Sequence, residues 1–237
     1  MQNKKPFKQP PKKFHPKGMT ILYEDWDILV VDKSCGLLSI ASETVRENTA
    51  HYLLNEYVRK GNSKSKNRIY VVHRLDRDTS GVLVFAKSEQ AKKFLQDNWA
   101  DFKKKYVAVV CGILTEKEGM ITSCLAENSM HKMYSVADPK KGKFARTGYR
   151  VIKESEDRSL LEIDLMTGRK NQIRVHMADL GCPVAGDKKY GVKDKSIKRL
   201  CLHAHTIDLV HPFSKEPISF EAKIPNYFNM MLKSKSD

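Results

Sequence analysis

Short apolar runs, alternating or bounded by turn residues, recur from one end of this chain to the other, and they commit it to a sheet. Leu161, Ile163 and Leu165 alternate within SLLEIDLMTG, as do Ile218, Phe220, Ala222 and Ile224 near the C-terminus. One apolar side chain every second residue is the period of a half-buried strand. Ile21 with Tyr23, Ile28 to Val31, Ile69 to Val72, Val82 to Ala86 and the run YVAVVCGIL are also strand-like, with a turn at Glu24 to Asp27 between the first two. RLCLHAHTIDLVHPFSKEPISFEAKI reads as a hairpin. Helical spacing is rarer. Ala50, Leu53, Leu54, Tyr57 and Val58 predict a helix over 49–60 that Gly61 stops. Ser88 predicts the cap of a second helix that turns Ala91, Phe94, Leu95 and Trp99 inward. Ile173, Met177 and Leu180 predict a third over 171–180, ended by Gly181 and Pro183. Residues 123–148, polar and rich in Gly, Lys and Ser, read as an excursion over the surface. The expected class is α+β, built on antiparallel or mixed sheet with a few flanking helices.

Charge narrows the partner. The 237 residues carry 43 Lys and Arg against 28 Asp and Glu, a formal charge of +15. Such an excess favours a polyanion, nucleic acid being the commonest, over a merely solubilising basic surface. Residues 1–18 hold six Lys, four Pro and no acid, and read as a flexible basic arm. One folded domain is expected over 19–230, followed by a tail at 231–237. Cys35, Cys111, Cys124, Cys182 and Cys201 stand singly with no CxxC spacing, so neither a zinc site nor a disulfide framework is expected. Reduced thiols, the lack of a secretory apolar region and the lack of any apolar run near the roughly 18 residues of a membrane span point to the cytoplasm.

Two stretches are dense in chemistry. In HRLDRDTSG (73–81), Asp76 lies among Arg74, Arg77, Asp78, Thr79 and Ser80. A reacting carboxylate must be ionised and oriented, and cations and hydroxyls do both. The same residues also fit a polar turn in which Asp76 or Asp78 bonds the backbone and Gly81 supplies a permissive φ. His73, taken alone, fits packing as well as catalysis. A metal held by His73, Asp76 and Asp78 is unconvincing beside two arginines. A sugar-hydrolysing pair would need a second carboxylate, for which Asp164, Asp179 and Asp187 are candidates by type only. In TGRKNQIRVHMADLGCPVAGDKKYG (167–191), basic residues sit among Gly168, Gly181, Gly186 and Gly191, a mixture suited to close approach of a phosphate chain.

Five motifs in order, HRLDRDTSG, KKYVAVVCG (104–112), TGRKNQIRVHMADLG (167–181), GDKKYG (186–191) and RLCLHAHTIDLVHP (199–212), together with the entry stretch ILYEDWDILVVDKSCGL, resemble the RluA family of RNA pseudouridine synthases. The resemblance runs from about residue 20 to 225. It implies a pseudouridine synthase fold around a central RNA-binding cleft, and isomerisation of uridine in rRNA or tRNA with no cofactor and no metal. It further implies a monomer whose partner is tRNA or 23S rRNA. Asp76 matches the family's catalytic aspartate, Arg174 the arginine that pairs with it, and Tyr106 the ring that stacks on the base. Arg74 matches the residue that holds the place of the extruded nucleotide, and Leu202 an apolar wall. His73, Lys105, Arg169 and Gln172 are expected to meet RNA. Extrusion is a physical need, because C1′ and both faces of the base are inaccessible in a stacked helix. The sequence departs from the family in having Asn171 where a histidine is usual and Asp32-Lys33-Ser34 for Asn-Lys-Pro. The first 18 residues are too few for the S4 domain of many relatives. An RNA-binding factor without catalysis and a base-releasing glycosylase are the competing classes.

Overall fold

The computed structural model describes residues 10–191, 194 and 196–232. It divides into two compact units, Met1–Phe102 with Asp208–Ala222 and Lys103–Ile207 with Lys223–Asp237. Periodicity identifies strands but not which of them share a core.

In the first unit β1 (Met19–Glu24) and β2 (Ile28–Lys33) form an antiparallel hairpin. Asp25 closes its turn by accepting the N–H groups of Asp27 and Ile28 at 2.7 and 2.8 Å. Helix α1 (Ala50–Arg59) follows, with the Thr49 side chain accepting from Tyr52 N–H and Lys60, at φ 54°, in the left-handed cap position just before Gly61. A short β3 (Tyr70–Val71) and β4 (Ser80–Ala86) come next. β4 pairs antiparallel with β2 from Ile28↔Ala86 to Lys33↔Gly81, and β3 pairs with β4. Every residue of β4 is buried, which explains its unbroken apolar run. Helix α2 (Glu89–Asp97) starts at Ser88, as expected, and buries Ala91 and Leu95. The arm expected over 1–18 packs from Pro10 on. Lys12–Phe14 form a 3-10 turn, and His15 meets the Tyr57 ring edge-on at 5.5 Å. Residues 1–9 lie outside those described.

The second unit holds β5 (Lys103–Cys111), β6 (Glu118–Glu127), β7 (Met133–Val136), β8 (Lys143–Glu154) and β9 (Arg158–Leu165). Helix α3 (Gln172–Asp179) and the start of β10 (Leu202–Val210) complete it, in the strand order β10-β5-β9-β8-β6-β7. Alternation sorts β5 and β9 onto two cores. Ala108, Val110, Leu161 and Ile163 pack with Ile173 and Met177 of α3. Val107, Val109 and Leu160 pack on the other side with Phe228 of α4 (Asn226–Met230) and with Met231 and Leu232, the described start of the supposed tail. β11 (Pro217–Glu221) pairs with β10, as the hairpin reading expects.

Two expectations are corrected. Residues 123–148 are no surface excursion; they belong to β6, β7 and β8. They look polar because Leu125, Met133 and Ala145 are the only apolar residues of the stretch that are buried, packing with Val175 of α3. Leu180 lies past the end of α3 and is 43% exposed.

Candidate active site

Asp76 lies in the loop that feeds β4. The Thr79 N–H donates to the Asp76 carbonyl at 3.2 Å, closing a turn, and Thr79 and Ser80 are buried behind it. Both flanks of Asp76 are pinned. Ser39 Oγ accepts the Leu75 N–H at 3.0 Å and donates to the Leu75 carbonyl at 2.7 Å. On the other side, the Arg77 carbonyl accepts Gly36 N–H at 2.9 Å and Lys33 Nζ at 3.1 Å. Lys33 has no solvent exposure, and its ammonium also donates to the carbonyls of Leu37 and Ser34 at 2.8 and 3.1 Å. Three donors thus meet three carbonyls, which satisfies a buried ammonium. Gly36 and Gly81 sit at φ 89° and 112°, where an L side chain would be strained. The loop is a turn, closed through the Asp76 carbonyl, with its backbone pinned on both sides.

His73, expected to meet RNA, accepts the Val84 N–H at Nε2 at 3.0 Å and stacks its ring on Trp99 at 4.3 Å, tying the base of the loop to β4. Arg74 is exposed and has no acidic partner among the described residues.

In the second unit the Arg174 guanidinium grips Asp187 with two bonds, Nε to Oδ2 at 2.7 Å and an Nη to Oδ1 at 2.8 Å. Asp187 is 1% exposed. Burial pushes its carboxyl up, but the Arg174 fork and the N–H groups of Lys189 and Tyr190 outweigh that and hold it below the usual range. The Tyr190 ring lies under the Arg174 guanidinium at 5.1 Å, and its hydroxyl donates to Asn171 Oδ1 at 3.1 Å while accepting the Met133 N–H at 3.0 Å. Asn171 occupies the left-handed region at φ 53°, which asparagine tolerates better than most residues. Asp187 and Tyr190 belong to the GDKKYG stretch, whose Gly186 and acidic residue were the only sequence signal for this clamp.

Tyr106 packs against the cluster that contains Leu202, Ile173 and Met177, so the expected ring and the expected apolar wall share one wall of this unit. Lys105, its neighbour in β5, turns to the opposite face and pairs with Glu162 at 3.2 Å, beside Arg150. Gln172 is no RNA contact: it is 2% exposed and its amide is saturated. Its Oε1 accepts from Thr167 Oγ1 at 2.7 Å and Arg169 N–H at 3.0 Å. Its Nε2 donates to the Arg146 carbonyl at 3.0 Å and Thr147 Oγ1 at 2.9 Å. Gln172 instead sets the loop that presents Arg169, whose exposed side chain donates to the Phe144 carbonyl at 2.9 Å.

One unit carries a carboxylate in a loop whose backbone is pinned on both sides, and the other a clamped arginine and a half-buried tyrosine packed against an apolar cluster. The family model for RNA pseudouridylate synthase matches residues 27–179, and the chain belongs to that family, in its RluA-type branch. A Mycoplasma genitalium protein described as an uncharacterized RNA pseudouridine synthase is 36% identical over 221 residues, 91% of this chain and 70% of its own length. Ribosomal large subunit pseudouridine synthase D of Xanthomonas campestris is 34% identical over 233 residues, 91% of this chain and 69% of its own. Human RNA pseudouridylate synthase domain containing 4 superposes with a TM-score of 0.74 at 23% identity, over 88% of this chain and 90% of that one, and shares the pseudouridine synthase fold. The protein is an RNA pseudouridine synthase, an isomerase that acts on RNA.

Proposed function

We propose that the substrate is a uridine in large-subunit ribosomal RNA, flipped from its stack and isomerised through Asp76. The N1–C1′ bond breaks, the uracil turns within the site, and C5 joins C1′ as its proton leaves. Asp76 is the carboxylate that acts on the ribose. Arg174 takes the role of the arginine that the family resemblance assigns to the site, Tyr106 stacks on the freed base with its hydroxyl near C5, and Leu202 backs the base. Arg74 fills the gap in the RNA stack. The observation that carries this reading is the loop itself: the Ser39 hydroxyl, the Gly36 N–H and the Lys33 ammonium bond the backbone on both sides of Asp76 and so fix the stretch that presents it, as a reacting group requires. The ribosomal target rests on the names of relatives such as the Xanthomonas protein.

Tritium release from RNA labelled at uracil C5 tests it, with 23S rRNA fragments and tRNA assayed separately. Release from the rRNA by wild type and none by Asp76→Asn is the expected result. Release from tRNA alone would overturn the ribosomal target, and undiminished release by Asp76→Asn would overturn the role of Asp76.

A further inference from the structure

The β6–β8 meander has a face that the reaction does not use. On the side toward α3 it buries Leu125, Met133 and Ala145. By alternation the other side carries Thr122, Cys124, Val136 and Phe144, brought together by the registers Cys124↔Val136 and Cys124↔Phe144. These residues, with Pro139, line a cavity of about 640 Å³. Its roof is the turn at Pro139–Lys141, which can fold back because residue 142 is glycine; a Cβ there would stand 2.7 Å from Val136 Cγ2. Phe144 is 52% exposed and Tyr134, on the same face, 46%. Around them Lys140, Lys141, Lys143 and Arg146 have no acidic partner among the described residues, the nearby Asp138 carboxylate being the cap that accepts the Lys140 N–H at 2.9 Å.

An open aromatic ring rimmed by unpaired cations is the chemistry of single-strand recognition, the ring taking a base and the cations its phosphates. Packing alone does not explain a phenylalanine left half in solvent between a lysine turn and an arginine. The bond from Arg169 to the Phe144 carbonyl makes this face continuous with the basic loop before α3. We propose that the cavity beside Phe144 is a second base-binding subsite, which seats an unpaired base of single-stranded RNA against the Phe144 ring while Lys140, Lys141 and Arg146 hold the flanking phosphates. This rests on the reading of the chain as an RNA-directed enzyme and adds where a base other than the target is held.

The test is binding without chemistry: fluorescence anisotropy of a short labelled oligouridine with the full chain. Phe144→Ala is expected to raise Kd by about fivefold or more, the lower end of what one base–aromatic stack contributes, and Phe144→Trp to restore it. Phe144→Leu, which keeps the volume but lacks a ring, is expected to bind as poorly as Phe144→Ala. Lys140→Ala with Lys141→Ala is expected to flatten the slope of log K against log salt by about 1.4, or ~0.7 per lost phosphate contact. Equal affinity of wild type and Phe144→Ala overturns the proposal, as does wild-type binding by Phe144→Leu or no oligouridine binding by wild type. Phe144 is half exposed, so equal melting temperatures of the variants will show that folding is not what changed. Tritium release with Phe144-independent binding sinks this inference alone. Phe144-dependent binding with no release from any RNA sinks the proposed reaction and leaves the subsite standing.

Discussion

Lys33 and Asp187 each hold a piece of the candidate site, Lys33 the loop of Asp76 and Asp187 the side chain of Arg174. Truncating Lys33 removes the ammonium from the carbonyls of Ser34 and Leu37 and leaves that of Arg77 with the Gly36 N–H alone, each buried deficit costing about 1–3 kcal/mol. Lys33→Met is therefore expected to lower stability by about 3–5 kcal/mol in urea unfolding. In the fraction that stays folded, kcat should fall while the Kd for RNA holds, because the bond lost is one that fixes Asp76 rather than one that meets RNA. Asp187→Ala is expected to cost a similar amount, since it leaves the Arg174 cation, 12% exposed, without the carboxylate that grips two of its nitrogens. Tyr190→Phe is the milder change. It keeps the ring beneath Arg174 but removes the hydroxyl that joins Asn171 to Met133, and a loss of about 1–2 kcal/mol is expected in the same assay.

Among the elements, α3 depends most on its first residue. Gln172 bonds Thr167, Arg169, Arg146 and Thr147 at once, so Gln172→Leu is expected to destabilise the protein by about 3 kcal/mol and to weaken RNA binding through a loosened Arg169 loop, both readable by melting and anisotropy. The end of α1 and the start of α2 were legible because Gly61 follows the left-handed Lys60 and because Ser88 caps within a few residues of the group it satisfies. β9 was legible because one face is apolar. The strands at 118–154 were not, because a sheet with one uncovered face needs few apolar residues, and Leu125, Met133 and Ala145 are too widely spaced to announce it. At the site, Asp76 was singled out by its neighbours and by family resemblance. The grip of Asp187 on Arg174 could not, because the partner lies 13 residues away and other aspartates were equal candidates by type. Nor could the burial of Gln172 or the packing of His73 on Trp99, which depend on tertiary contacts that no local pattern encodes.

Taken as a whole, the molecule carries a buried imidazole that sets its acid limit. His176 has no solvent exposure and lies between Ser123 Oγ at 2.9 Å and Thr147 Oγ1 at 2.8 Å. Burial pushes its pKa below the ordinary 6.5, only partly offset by Asp179. The unfolded chain therefore takes up a proton near 6.5 that the fold resists, and stability should fall as pH drops below 6.5 toward the lower folded value. Asp187 works at a more acid range. Its contribution is complete above the ordinary 3.8 and is lost as pH falls through its depressed folded value. A melting temperature measured against pH should decline in these two stages, and His176→Asn should remove the upper one. The hydrogen bond from Lys33 to the Arg77 carbonyl joins positions 44 apart, and β2 must pair with β4 before those two can meet. The loop therefore has no local route to its shape, since closing so long a segment is repaid only when both strands are in place. A chain still leaving the ribosome, with β4 not yet emerged, carries Asp76 on unstructured polypeptide. The loop is expected to take its full shape only once β4 has docked on β2.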